Sequence, residues 1–120
     1  MGSLDRKEKQ RSDGMKPQLF FSSENAHLLA NEVFKILSGV SSPVFPRSSM
    51  GKPSPYVLLG TIEIDTDQYH QCVLPILERE DLQVLRTPRS REFMRDTTRT
   101  QMFIERIGGY LTQSFLERGL

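Results

Sequence analysis

Few side chains in this sequence have the types and the spacing that catalysis or metal binding requires. His70 and Cys72 stand two positions apart and could supply two ligands to a zinc ion. A structural zinc site takes four ligands, and only His27 and carboxylates remain to complete the set. His27 itself stands near the polar residues Asn25 and Asn31. We therefore assign no metal site and no catalytic histidine from the sequence.

The Gly51-Lys52 pair invites comparison with a phosphate-binding loop. Its spacing from the preceding glycine, Gly39, does not fit such a loop, and Pro53 stands where Ser or Thr is required. An enzyme needs a nucleophile–base pair or a metal cluster, and neither emerges from the sequence. The sequence therefore does not predict an enzyme, and it predicts no cofactor.

Length and composition limit the class of protein. At 120 residues the chain forms one domain at most, and its 37% of apolar residues are enough for one modest core. The single cysteine, Cys72, excludes an internal disulfide and suits a reducing compartment. No apolar run approaches the roughly 18 residues of a membrane span. We therefore expect a cytoplasmic protein, with the nucleus open as an alternative.

Charge is unevenly distributed along the chain, although the net charge is only +1. Residues 61–81 carry six acids and one arginine, whereas residues 86–106 carry six arginines and three acids. Such asymmetry can steer a partner or can pair within the fold. The interspersed acids and the near-neutral total argue against a nucleic-acid binder.

The chain divides into a leader and one domain. Residues 1–16 are polar and mixed in charge, which predicts a flexible leader. A single small domain is expected over residues 17–120. Within it, residues of about 40–53 carry Pro43 and Pro46 among several serines, which predicts a flexible loop.

The first half of the domain reads as a strand followed by a helix. Leu19–Phe21 suits a short buried strand. Ser22 or Ser23 then caps a helix that follows the 3.6-residue period to Leu37. Gly39 stands where the glycine just beyond a helix belongs.

Two further strands are predicted downstream. Pro55–Ile64 is the longer one, with Gly60 as a bulge or a close backbone approach. A helix follows that Pro75 should kink or shorten, and Leu82–Leu85 forms the last strand. This order favours an α+β or α/β fold with a small sheet of about three strands and three to four helices.

The longest periodic stretch predicts the helix around which the domain is organised. Ser90 can cap it, and the row of Arg91, Arg95 and Arg99 lies nearly opposite its apolar stripe. The Gly108-Gly109 pair predicts a stop or sharp bend, and therefore a second helix beyond it. The stripe comprises Phe93, Thr97, Thr100, Ile104, Ile107 and Leu111.

This helix also carries the predicted binding site for a partner. Met102 and Phe103 place apolar groups to one side of the stripe, and an exposed apolar patch often marks a partner site. Arg95 and Arg99 are predicted to form its polar rim. We therefore predict that these four residues contact another protein.

Two parts of the chain resemble the DENN domain, a module by which trafficking regulators act on Rab GTPases. Gln18–Leu37 and Pro53–Gly60 resemble its early strands and leucine-rich helix. Arg91–Ile107 resembles its downstream segment through the run Thr100-Gln101-Met102-Phe103. The resemblance implies a module that binds or acts on a Rab-type GTPase in membrane trafficking, without a catalytic acid or metal of its own. The alternative is a small non-catalytic adaptor or a structural subunit of a larger intracellular complex.

Overall fold

The computed structural model describes residues 20–47, 51–52, 54–87, 92 and 95–120. These residues form a three-stranded antiparallel sheet, with helices before and after it in the chain. Because the sheet is antiparallel, the fold is α+β, one of the two predicted classes. The predicted leader lies outside the described residues.

The first helix, α1 (His27–Leu37), confirms the periodic pattern. Its buried face includes Leu29 and Val33, neither of which has measurable exposure. Beyond its last turn, Gly39 adopts a φ of 82° and its N–H donates to the Ile36 carbonyl. Only glycine adopts this left-handed conformation without a steric penalty, so Gly39 ends the helix as predicted.

The sheet runs in the order β1 (Pro43–Val44), β2 (Tyr56–Leu59) and β3 (Ile62–Asp65). The predicted strand Pro55–Ile64 was therefore wrong in part, since it is a hairpin of two strands. Its turn contains Gly60 at a φ of 64°, as tight hairpin turns require. The segment of about residues 40–53 that was predicted as a flexible loop contributes β1, which pairs with β2.

The other two predicted strands were also wrong. Leu82–Leu85 lies inside a 3₁₀-helix, Glu80–Arg86. Leu82 and Leu85 are buried, so the short apolar run reflects burial and not strand pairing. Of the first predicted strand, the structure describes Phe20 and Phe21, and neither belongs to the sheet.

One helical segment of three parts follows the sheet: α2 (Thr66–Gln68), a π-helical turn (Tyr69–Val73) and α3 (Leu74–Leu77). The Asp65 side chain caps it by accepting the N–H groups of the two residues that follow Thr66. Proline lacks an N–H, and the register changes just ahead of Pro75 in α3. The prediction was that Pro75 kinks or shortens this helix; in the structure a π-turn precedes Pro75 and the helical backbone continues through it to Leu77.

The last helix, α4 (Thr97–Glu117), is continuous. The predicted stop at Gly108-Gly109 was wrong, because α4 is held on both sides of the pair by buried Ile107 and Leu111. Burial of these side chains outweighs the roughly 1 kcal/mol that each glycine costs a helix. No helix in the described part of the chain is long and apolar enough to cross a membrane.

Helices α1 and α4 run antiparallel. The Ser23 N–H donates to the Leu120 carbonyl over 2.9 Å, which brings the start of α1 to the end of α4. Further along α1, Ala30 lies beside Gly108 of α4, so that a Cβ on this glycine would meet Ala30 Cβ at 3.7 Å. The C-terminal half of α4 therefore covers α1, and its N-terminal half extends toward the other end of the domain.

Candidate functional site

The N-terminal half of α4 carries three of the predicted partner-binding residues, Arg99, Met102 and Phe103, and the fourth, Arg95, precedes the helix. Asp96 precedes the helix, and its Oδ1 accepts the Thr98 N–H at 3.0 Å and the Arg99 N–H at 3.3 Å. These bonds satisfy backbone donors that have no partner within the first turn. The predicted cap was Ser90, which lies outside the described residues; α4 itself starts at Thr97, capped by Asp96.

The two apolar residues of the predicted site differ in burial. Met102 is 52% exposed, whereas Phe103 is half-buried and packs against the core. The Arg106 guanidinium lies 5.3 Å from the centre of the Phe103 ring, within cation–π range. Phe103 therefore both supports the fold and borders the surface, while Met102 is available for contact with a partner.

Both arginines of the predicted rim, Arg95 and Arg99, are exposed. Arg99 forms an ion pair with Asp96, with 3.9 Å between Nε and Oδ2. We call the surface formed by Arg95, Arg99, Met102 and Phe103 the partner surface. Phe93 of the predicted apolar stripe and Arg91 of the predicted arginine row lie outside the described residues.

The predicted apolar stripe of α4 is buried only toward its C-terminal end. Ile107 and Leu111 are fully buried, Thr100 and Ile104 are half-buried, and Thr97 is exposed. The helix therefore rises out of the core toward its N-terminus. This explains why the residues of the partner surface reach solvent.

A groove of about 410 Å³ adjoins the partner surface. Met102 borders both features. The groove residues Gln101 and Glu105 were not predicted, although their i, i+4 spacing is visible in the sequence. In the structure the Gln101 amide donates to the Glu105 carboxylate over 3.3 Å. The groove is lined by Thr97, Thr98, Gln101, Met102 and Glu105.

A second polar cluster joins the 3₁₀-helix region to α4. Tyr110 Oη donates to Asp81 Oδ2 over 2.5 Å, and Arg79 Nε donates to Asp81 Oδ1 over 2.9 Å. The Arg79 guanidinium also lies 3.7 Å from the centre of the Tyr110 ring. The sequence could not show this cluster, because Tyr110 and Asp81 are 29 positions apart.

The pKa values of this cluster follow from its hydrogen bonds. The bond donated by Tyr110 lowers the pKa of Asp81, because it stabilises the carboxylate. The same bond raises the pKa of Tyr110, which would lose it on ionisation. The three side chains hold one another in their ordinary charge states, so the cluster acts as a link between elements. It borders a shallow cleft of about 220 Å³ that is also lined by Cys72.

The histidines and the cysteine do not converge. His70 is exposed and its Nδ1 lies 2.9 Å from the Thr66 carbonyl, whereas Cys72 is buried. His27 is exposed on α1. Among the residues that the structure describes, no three His, Cys, Asp or Glu side chains are grouped as a metal site would need.

Comparison of the chain with protein-family models, curated proteins and solved structures gives no significant match.

Proposed function

We propose that this chain is a protein-interaction module and that its partner surface binds another protein. The observation that carries the proposal is the exposed Met102 beside the half-buried Phe103, at the edge of a groove. Apolar contact groups within a polar rim are typical of protein interfaces, and Met and Arg are enriched there. Arg95 and Arg99 supply such a rim.

From the resemblance to the DENN domain, we propose a Rab-type small GTPase in membrane trafficking as the partner. Arg95 and Arg99 would favour an acidic patch on that GTPase, because opposite charges accelerate association. A DENN-like module would act by binding the GTPase and distorting its nucleotide site. Such an action uses contact surface and needs no acid, base or metal from this chain.

The alternative is a small adaptor or a structural subunit of a larger intracellular complex. It is favoured by apolar side chains that are exposed away from the partner surface. Phe45 beside β1 is 55% exposed and Leu116 near the end of α4 is 56% exposed. A subunit that touches several neighbours would use more than one such position.

The test is capture of the chain on a panel of purified, nucleotide-free Rab GTPases. We expect one or a few of them to retain it and Met102→Ser to weaken that binding by over about 1 kcal/mol, as loss of a central contact does. Leu28→Ser is the matched control, because Leu28 is 50% exposed on α1, away from the surface. Retention of no Rab would favour the adaptor, and equal loss with both variants would contradict the partner surface.

Arg99→Glu tests whether the charge of Arg99 accelerates association with the partner, as distinct from contacts that hold the complex together. We expect slower association and a weaker dependence of the association rate on salt, with little change in dissociation. Phe103→Ala is less informative alone, because Phe103 also packs against the core. Its effect on binding should therefore be read together with its denaturation midpoint. An Arg99→Glu variant with unchanged association kinetics would remove the arginine rim from the proposal.

A further inference from the structure

Every fourth residue of α4 from position 101 to position 117 is exposed, and the five form one row. At 3.6 residues per turn, residues four apart form a ridge on the helix surface. Along this ridge the residue types run amide, acid, glycine, amide, acid. We call it the outer row; it consists of Gln101, Glu105, Gly109, Gln113 and Glu117.

Gly109 is the centre of the outer row and the place where another helix could come closest. It lies two residues from both Ile107 and Leu111, which are fully buried, so helix geometry places it on the opposite side of α4. A Cβ added at Gly109 would meet nothing within 4 Å. The fold therefore does not need a glycine here for internal packing, although glycine costs a helix stability.

Two large apolar side chains flank this glycine at equal distances. Met102 is seven residues before it and Leu116 is seven residues after it, so both lie on nearly the same face of α4. They are 52% and 56% exposed. Water therefore contacts apolar groups on both sides of a point where the helix backbone is bare.

We propose that a second copy of this chain binds here, with the two α4 helices antiparallel and crossing at Gly109. Reversal about Gly109 brings Met102 to the same end of the crossing as Leu116 of the partner subunit. It also sets Gln101 opposite Glu117 of the partner subunit. Ridges of this spacing run alongside each other when helices cross at about −50°, and the bare glycine lets two ridges meet at the crossing point.

The polar pairs of this arrangement are complementary. Reversal places Glu105 opposite Gln113 of the partner subunit, so each carboxylate faces an amide. Within one chain, the amides of Gln101 and Gln113 already donate to Glu105 and Glu117, each over 3.3 Å. Each amide nitrogen has two N–H donors and each carboxylate can accept several bonds, so the internal pairs need not break.

The contact is small, and the dimer should therefore be weak. One pair of helices of this length buries less than the roughly 1,200 Å² of a standard stable interface. Self-association should consequently depend on concentration in the micromolar range. The inference does not depend on a Rab partner, but Met102 belongs to both surfaces, so dimerisation and partner binding should compete.

Sedimentation equilibrium of the full chain over a concentration series tests the proposal. We expect a monomer–dimer equilibrium that Gly109→Arg abolishes, because a long charged side chain would occupy the crossing point. The monomer should stay folded, since the site is open and arginine forms helices better than glycine. Circular dichroism checks this. A wild-type chain that stays monomeric throughout, or a dimer that survives Gly109→Arg, would overturn the proposal.

Charge changes at position 113 test the geometry. Gln113→Lys should tighten the dimer, because the introduced ammonium faces Glu105 of the partner subunit, while Gln113→Glu should loosen it. Two symmetric surface ion pairs should change the dissociation constant of the dimer about fivefold, lowering it for Gln113→Lys and raising it for Gln113→Glu. Both effects should diminish at high salt. Asn31→Lys and Asn31→Glu, at an exposed position of α1, are the controls and should leave the dimer unchanged. Equal effects at both positions, or the same sign for both Gln113 variants, would reject the antiparallel arrangement.

Discussion

The side chain of Gln68 holds the start of the described chain to the rest of the domain. Its Nε2 donates to the Phe21 carbonyl and its Oε1 accepts the Phe21 N–H, both over 2.8 Å. Gln68 is 4% exposed and Phe21 is 1% exposed. The amide thus takes the place that a neighbouring β-strand would have beside Phe21.

Replacement of Gln68 by leucine should destabilise the fold. The Phe21 N–H and carbonyl would both lose their partner, and each such buried group costs about 1 to 3 kcal/mol. Better burial of the leucine side chain offsets about 1 to 2 kcal/mol of this loss. We expect a net decrease of about 2 to 3 kcal/mol in the free energy of unfolding.

Urea denaturation measures this decrease as a fall of about 1 to 2 M in the midpoint. Gln71→Leu is the matched control, because Gln71 is exposed in the same helical segment and its change should matter little. Equal midpoints for Gln68→Leu and Gln71→Leu would refute the role of the amide. Unchanged hydrogen exchange of the Phe21 N–H in Gln68→Leu would refute it as well.

Gln68→Glu adds a pH dependence to this test. The introduced carboxyl can still accept the Phe21 N–H. When it is ionised, its second oxygen faces the carbonyl oxygen of Phe21 and cannot donate to it, so the pKa of the introduced carboxyl is raised in the folded state. The penalty should be small below the unfolded pKa of about 4.3, grow as the pH rises through it, and level off above the raised folded pKa. A penalty independent of pH would contradict this geometry.

Three further predictions concern the core, the hairpin and the polar cluster. Gly60→Ala should lower the free energy of unfolding by at least about 1 to 2 kcal/mol, because its φ is 64° and the new Cβ would meet Glu32 Oε1. The loss should shrink in a Glu32→Ala background; an equal loss there would exclude the clash. Leu29→Ala should cost about 2 to 5 kcal/mol in urea denaturation, since Leu29 is fully buried, and an unchanged midpoint would remove it from the core. Tyr110→Phe should raise the pKa of Asp81 in an NMR titration, because the carboxylate loses its strongest hydrogen bond; an unmoved midpoint would show that this bond does not form in solution.

The sequence determined those features that depend on neighbouring residues. Helix α1 follows from a local period, and its end follows from Gly39, whose φ of 82° only glycine adopts without strain. The exposure of Met102 was also predicted, because Met102 lies to one side of the apolar stripe, and its side chain is 52% exposed. Each of these rests on interactions within a few turns of the chain.

Tertiary structure decided the features that depend on partners far along the chain. Phe21 was predicted in a strand, but its backbone partner is the Gln68 side chain, 47 positions away. A short apolar run such as Leu82–Leu85 is compatible with a strand or with a buried helical turn, and only packing selects one. Gly108 and Gly109 weaken a helix locally, yet α4 continues through them. The free energy gained by burying Ile107 and Leu111 on either side exceeds the free energy that the two glycines cost the helix.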